Sequence, residues 1–161
     1  MVKLLFGLMN EYRLWAMPQA LATLEERYPG ASEGQVYSIR EVNASAELEQ
    51  RLLDAAGQAD MAFLASHGSI QNLHCFPRLW KTLAGRPVYF TSTMGDELAE
   101  LLPESELEPP VYAALDAYYQ AGSQADLERL VLCALNHCFG GDYPLSPPSP
   151  IRGQGIYTCL L

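Results

Sequence analysis

The amino-acid sequence predicts an α/β domain: a small parallel sheet of about four strands, flavodoxin-like or Rossmann-like with the order 2-1-3-4, flanked by helices and followed by an appended C-terminal helical segment. Three observations carry this. The runs Val2–Leu8 and Met61–Ala65 are continuously apolar, the pattern of strands buried on both faces. Apolar positions at helical spacing separate these runs from each other and from a further strand, and such alternation implies parallel pairing through right-handed crossovers. After Pro109-Pro110 the pattern turns helical and stays so as far as Gly140-Gly141.

Val2–Leu8 reads as a central strand, and Gly7 within it marks a close backbone approach. Residues 10–15 read as a loop. Pro18, tolerated at a first helical turn, then opens a helix in which Leu14, Met17, Leu21 and Leu24 share a side and which stops at Tyr28-Pro29-Gly30. Residues 35–41 form a second, more polar strand. Ser45 is placed as an N-cap, with Glu47 in the first turn, where the helix dipole favours an acid, and with Leu48, Leu52, Ala55 and Ala56 toward the core. Met61–Ala65 is the third strand, residues 73–84 are a helix stopped by Gly85, and residues 88–92 are the fourth strand. In the last helix Leu127, Leu130, Val131, Ala134, Leu135 and Cys138 follow i, i+3, i+4, i+7, i+8, i+11, a wide apolar stripe. No internal repeat is evident.

A chain of 161 residues, 49% hydrophobic, suffices for one domain with a core and not comfortably for two. Residues 1–142 are assigned to that domain. Residues 143–161 hold prolines at 144, 147, 148 and 150 and read as an extended connector to a downstream region, since proline fixes φ and donates no backbone hydrogen bond. The net charge is −9, from 19 acids against 10 bases. Asp96, Glu97, Glu100, Glu104, Glu106 and Glu108 meet no base in their stretch, which reads as a solvated surface or, alternatively, as an interaction face. Nucleic acid is a poor partner for such a field, because its binding needs basic side chains that displace counterions. No stretch reaches the length of a membrane span, and the apolar run at the start is too short for a secretion signal. Cys75, Cys133, Cys138 and Cys159 are therefore expected as reduced thiols in a cytoplasmic protein.

In the order 2-1-3-4 the ends of strands one and three lie side by side at the switch point, where a crevice opens. The candidate ligand-binding residues follow from that position. They are Asn10, Glu11 and Tyr12 after strand one, Ser66, His67, Gly68 and Ser69 after strand three, and Ser92 and Thr93, flanked by Thr91 and Met94, after strand four. His67 stands out, because an imidazole titrates near neutral pH or donates to an anion, and Gly68 lets a backbone come close. The alternative is that His67 bonds a neighbouring carbonyl and shapes the turn.

Other chemistries find less support. The first strand-to-helix loop, residues 9–13, has no glycine cluster, and neither a Rossmann fingerprint nor a Walker loop occurs, so neither a dinucleotide nor ATP is expected as a cofactor of this chain. Cys133 and His137 offer two ligands where a closed site takes four, and His74 and Cys75 diverge by about 100° on a helix. No metal site is assigned. No Gly-x-Ser-x-Gly elbow supports a hydrolase. Tyr112, Tyr118, Tyr119, Trp15 and Trp80 line a flat pocket only if several of them converge on the crevice; otherwise they pack the core or its rim.

A set of short motifs occurs in a fixed order. Ser66-His67-Gly68-Ser69 closes a strand, Leu79-Trp80 sits in the next helix, and Arg86-Pro87-Val88-Tyr89-Phe90 opens the next strand. Tyr118-Tyr119 followed by Gly122, a helix ending Cys138-Phe139-Gly140, and a proline run leading to Gly155-Ile156-Tyr157 complete the series. Over about residues 60–157 these resemble the N-terminal region of the large subunit of cobaltochelatase, the CobN type, and of its relative the magnesium-chelatase H subunit. The family's His-Pro after the tyrosine is Thr158-Cys159 here.

The resemblance implies a whole enzyme that inserts cobalt or magnesium into a tetrapyrrole in cobalamin or chlorophyll-type biosynthesis. ATP with magnesium is used on separate ATPase subunits, the cobalt or magnesium ion is a substrate, and the residues of metal insertion lie downstream of Tyr157. This chain then contributes tetrapyrrole enclosure or subunit docking, holds no cofactor and does not catalyse alone. Its partners are the downstream part of the same large subunit, the ATPase subunits and the tetrapyrrole. The alternative is a free-standing flavodoxin-like domain that binds a small ligand or a protein and regulates; an independent small hydrolase is a third reading.

Overall fold

The computed structural model describes residues 1–150; Gly155-Ile156-Tyr157 and Cys159 of the sequence reading lie outside the described residues. Four parallel strands, β1 (Val2–Leu8), β2 (Ser32–Ser38), β3 (Met61–Ala65) and β4 (Val88–Thr91), form one sheet in the order β2-β1-β3-β4. The architecture is α/β, as the alternation of patterns predicts.

Why β1 and β3 are apolar at every position is visible in the two faces of the sheet. Leu4, Phe6 and Leu8 of β1, with Met61, Phe63 and Ala65 of β3 and Tyr89 of β4, point into one core. Leu5, with Ala62, Leu64, Val88 and Phe90, points into the other. Successive side chains alternate across a strand, so a strand covered on both sides needs apolar residues at odd and even positions alike. Phe6 and Phe63 are register partners and stack at 4.7 Å between ring centroids. Gly7 is the close approach expected of it: a Cβ there would lie 3.1 Å from Leu64 Cδ2.

Several element boundaries differ from the sequence reading, each for a local reason. Helix α1 spans Glu11–Arg27 and starts before Pro18, because the Asn10 side chain accepts from the Arg13 N–H at 3.0 Å and caps the helix at that point. Residues 10–15 are therefore a cap and a first turn, and Pro18 lies inside the helix on an exposed position. Strand β2 begins three residues earlier than expected and pairs with all seven residues of β1, from Val2↔Ser32 to Leu8↔Ser38. Residues 39–41, read as strand, open the short helix α2 (Ile39–Ala44), which Ser38 caps and whose Ile39 and Val42 are buried. Residues 73–84 do not form one helix. A 3-10 turn at Ile70–Asn72 precedes α4 (Phe76–Thr82), which carries Pro77 in its first turn, where proline is tolerated.

Helix α3 (Ala46–Gln58) carries the expected Ser45 cap, which accepts from the Leu48 N–H at 3.2 Å. Part of the acidic stretch is itself helical: α5 (Gly95–Leu101) has Asp96 and Glu97 in its first turn, where the dipole favours them, and a 3-10 turn at Leu102–Glu104 follows. The expected C-terminal helical segment is a hairpin of α6 (Pro109–Ala121) and α7 (Gln124–Phe139). It packs with α1 over one face of the sheet, while α2, α3 and α4 cover the other.

The stripe predicted on α7 is buried from Leu127 to Leu135 and half-buried at Cys138, and Leu132 and Cys133 on its flank are buried as well. Tyr143 and Leu145 pack against the same core, which is why the buried face of α7 is wider than the stripe. The chain after α7 is tied along the hairpin. Asn136 bonds both the N–H and the carbonyl of Tyr143, the Tyr118 hydroxyl donates to Ser146 O at 2.7 Å, and the Ser149 N–H donates to Asp126 Oδ1 at 2.9 Å.

Asp126 joins two ends of this layer. It completes a capping box with Ser123, accepts from Ser149, and pairs with Arg129 at 3.1 Å while being fully buried. Burial alone would raise its carboxyl; hydrogen bonds from Ser123 and Ser149 outweigh burial and hold it below the ordinary aspartate value. Asp126→Ala is expected to lose about 2 kcal/mol at neutral pH. Because the folded-state value is depressed, that contribution is complete above about pH 4 and is lost as pH falls through the folded-state value. Urea unfolding of wild type and variant should therefore differ at pH 7 and converge in acid; an equal gap at both pH values would contradict this assignment.

Candidate functional site

A cavity of about 200 Å³ opens at the C-terminal edge of the sheet, where β1 and β3 lie side by side and the helices that follow them leave to opposite faces. Its lining comes from four places in the chain. Asn10 and Arg13 belong to the start of α1, Ser66 and His67 follow β3, Thr91, Ser92 and Thr93 end β4 and its loop, and Tyr119 and Gln120 end α6.

Of the residues placed there from sequence, Asn10, Ser66, His67, Ser92 and Thr93 line the cavity, and so does Thr91. Glu11, Tyr12, Gly68 and Ser69 do not. On α1 each residue turns by about 100° from the last, so Glu11 departs from the Asn10 side. It lines a separate groove beside β2 and lies 4.0 Å from Arg40. Tyr12 is exposed beside Trp15, with 6.0 Å between the rings. Ser69 turns inward, and its hydroxyl donates to Glu97 Oε2 at 2.5 Å. Gly68 shapes the loop: its φ is +74°, and its N–H donates to Thr93 Oγ1 at 2.8 Å.

The loops around the cavity are cross-linked. The buried Ser66 hydroxyl donates to the carbonyls of Gly68 and Ser69, the Asn72 amide donates to the carbonyl of His67, and Glu97 also accepts from the Ile70 N–H at 2.6 Å. Backbone and neighbouring side chains thus hold the turn after β3. The His67 imidazole takes no part: it is exposed and makes no hydrogen bond among the described residues.

Arg13 and Gln120 were not found from sequence, and Tyr119 was named there only as one of five aromatics. The Arg13 guanidinium donates to the Tyr119 carbonyl through Nε at 3.1 Å and Nη2 at 2.7 Å, reaches the Gln120 carbonyl at 3.3 Å, and lies 4.4 Å from the Tyr119 ring centroid. These carbonyls end α6, where a helix presents its negative pole, and a cation there is favoured. The turn past them is Gly122, with φ +73°, where a Cβ would stand 2.6 Å from Arg13 Nη2. The partners are 106 positions apart, and nothing local to Met9-Asn10-Glu11-Tyr12-Arg13 announces them.

Below the cavity floor sits a tyrosine stack. Tyr89 is fully buried, donates to Asp116 Oδ1 at 2.7 Å, and packs against Tyr112 and Tyr119 at 5.4 and 5.6 Å. Burial, then the Asp116 carboxylate, raises Tyr89 beyond the alkaline range, and burial pushes Tyr112 and Tyr119 up to about 12. All three stay neutral at physiological pH. The aromatics do not converge into a flat pocket, because only Tyr119 reaches the cavity. Trp80 packs on Phe76 and Phe90 on the opposite face, Tyr118 is held by Ser146, and Trp15 faces solvent.

Cys133 is buried, with its thiol pushed up to about 11 by burial, whereas His137 is exposed. Among the described residues no three His, Cys, Asp or Glu side chains gather as a metal-holding group, and no helix is long and apolar enough to cross a membrane.

No family model matches the chain, and no curated protein does. Among solved structures it is similar to the catalytic subunit of cobaltochelatase from Mycobacterium tuberculosis, with a TM-score of 0.64 over 94% of this chain. The likeness is one of fold. Sequence identity is 13%, and this chain spans about 12% of the length of that one.

Two substitutions separate loop shape from ligand contact. Gly68→Ala is expected to cost about 1–2 kcal/mol, because alanine strains at positive φ, while His67→Ala changes stability by less than about 0.5 kcal/mol. Equilibrium denaturation measures both, and a large loss in His67→Ala would assign that side chain to the scaffold.

Proposed function

We propose that this chain is an α/β module of a chelatase large subunit of the cobaltochelatase type, and that its crevice encloses one edge of a tetrapyrrole during metal insertion elsewhere in the assembly. The observation that carries the reading is the fold likeness to a cobaltochelatase catalytic subunit across nearly the whole of this chain, and the motifs from Ser66 to Cys138-Phe139-Gly140 support it independently. In this reading residues 1–142 are one domain, and residues 143–161, whose first part lies along α7, lead on to the rest of the subunit. ATPase subunits and the downstream region supply the ATP-driven step in the cytoplasm, with cobalt or magnesium as the substrate ion.

Size limits what the crevice holds. A pocket that encloses a drug-sized ligand measures roughly 300–1,000 Å³, and the cavity of about 200 Å³ falls short of that. It admits a substituent of the macrocycle and leaves the ring plane outside. The chemistry of its walls suits a carboxylate substituent: Asn10 and Gln120 supply amides, Thr93 supplies a hydroxyl, and His67 supplies an imidazole with no other task. The cross-linked loops hold these groups in place before a ligand arrives, which limits the ordering cost of binding.

Fluorescence titration with a polycarboxylate porphyrin tests this. Saturable binding is expected, weakened about fivefold in His67→Ala, the effect of losing about one hydrogen bond, with an unchanged thermal midpoint. Binding that ignores the substitution would remove the crevice from the reading. The chain alone should neither hydrolyse ATP nor load cobalt or magnesium into a porphyrin, and robust metal insertion by these 161 residues would overturn the module assignment.

A further inference from the structure

We propose that a second surface, the groove beside the outer edge of β4, docks a segment of a partner protein that carries apolar side chains between lysines or arginines. It lies away from the crevice and does not depend on the tetrapyrrole reading. The groove has a volume of about 660 Å³ between the turn at Leu102–Glu104 and the start of α6. Leu102, Leu107, Pro109 and Tyr112 supply its apolar surface, and Glu106 and Glu108 stand on its rim.

The groove is built rather than incidental. On one side the 102–104 turn is closed by Ser105, whose N–H and hydroxyl both donate to Leu102 O, at 3.2 and 2.8 Å. Trp80 Nε1 donates to Glu104 Oε2 at 2.6 Å and ties that turn to α4. On the other side the Tyr112 hydroxyl donates to Phe90 O at 3.0 Å and ties α6 to the sheet. Pro103, Pro109 and Pro110 fix φ in both walls. These tethers limit the ordering cost of docking, and apolar area buried there yields about 25 cal/mol per Å².

Charge selects the occupant. Of the six acids from Asp96 to Glu108, Glu97 and Glu104 accept from neutral donors of the same chain. Asp96, Glu100, Glu106 and Glu108 form no ion pair among the described residues, although acids elsewhere, such as Glu47, Glu49 and Glu128, do. A merely solvated acidic surface needs no apolar floor. The two together fit a segment whose apolar side chain enters the groove while its cationic neighbours meet Glu106 and Glu108. A second copy of the chain is disfavoured, since a two-fold contact through this patch sets acids against acids. Strand addition to β4 is disfavoured too, because the outward carbonyl of Phe90 is already taken by Tyr112.

The test uses the full chain and a synthetic hexapeptide of alternating lysine and leucine, titrated by NMR and calorimetry at physiological salt. Saturable one-to-one binding with shifts centred on residues 102–112 is expected. A Glu106→Gln, Glu108→Gln double variant should bind at least tenfold more weakly. Glu26→Gln, Glu33→Gln, which changes net charge equally at exposed distant sites, should bind as wild type does. Replacing the leucines of the peptide by serine should also weaken binding at least tenfold. Equal losses in the two double variants, equal binding of the serine peptide, or no saturable binding would each overturn the proposal.

Discussion

The side-by-side pairing of β1 with β3 governs the rest of this molecule. Chain order places β2 on one side of β1, and the return to the other side of β1 sends α1 to one face of the sheet and α3 to the opposite one, as right-handed crossovers require. With α3 and α4 on their face, the other face above β3 and β4 is left without a crossover helix. There Met61, Phe63 and Tyr89 point outward. Exposing a buried aromatic of that size costs on the order of 3 kcal/mol, so the sheet needs a cover on that side. Helices α6 and α7 provide it. They are appended in sequence, yet they complete the layer that α1 begins, and Arg13 fastens the two parts by holding the last carbonyls of α6.

The same pairing makes the crevice. Where neighbouring strands send their helices apart, no helix roofs the strand ends, and polar loop residues from each strand face a common space. The surrounding loops spend most of their hydrogen-bonding groups on one another: Gly68 on Thr93, Ser69 and Ile70 on Glu97, Asn72 on His67. The His67 imidazole, by contrast, is exposed and forms no hydrogen bond among the described residues. The turn that carries His67 is thus held by backbone and neighbouring side chains and does not depend on its imidazole.

How much of this could be read from residues alone depended on the range of the interactions. The strands β1 and β3 were legible because burial on both faces writes itself into every position. The cap at Asn10 was obscured by Pro18, a stronger local signal that the tertiary structure overrides. The extent of β2 was set by its partner, since full-length pairing with β1 moved it three residues from where its own polar pattern pointed. Helix α5 went unrecognised because acids and a leading glycine read as surface, whereas two of those acids sit in a favourable first turn. At the crevice, Asn10, Ser66, His67, Ser92 and Thr93 followed from topology. Glu11 and Tyr12 were lost to helix rotation, and Arg13, Tyr119 and Gln120 arise from a contact across 106 positions.

The tyrosine stack gives the two surfaces a fixed relation. Tyr112 lines the groove, packs on Tyr89, and Tyr89 packs on Tyr119, which lines the crevice. Each ring has a second anchor: Phe90 O for the Tyr112 hydroxyl, Asp116 for Tyr89, and Arg13 above Tyr119. A ring held by both stacking and a polar contact has one low-energy arrangement, and close packing leaves no space for another. The stack thus links the groove and the crevice through a continuous set of packed rings.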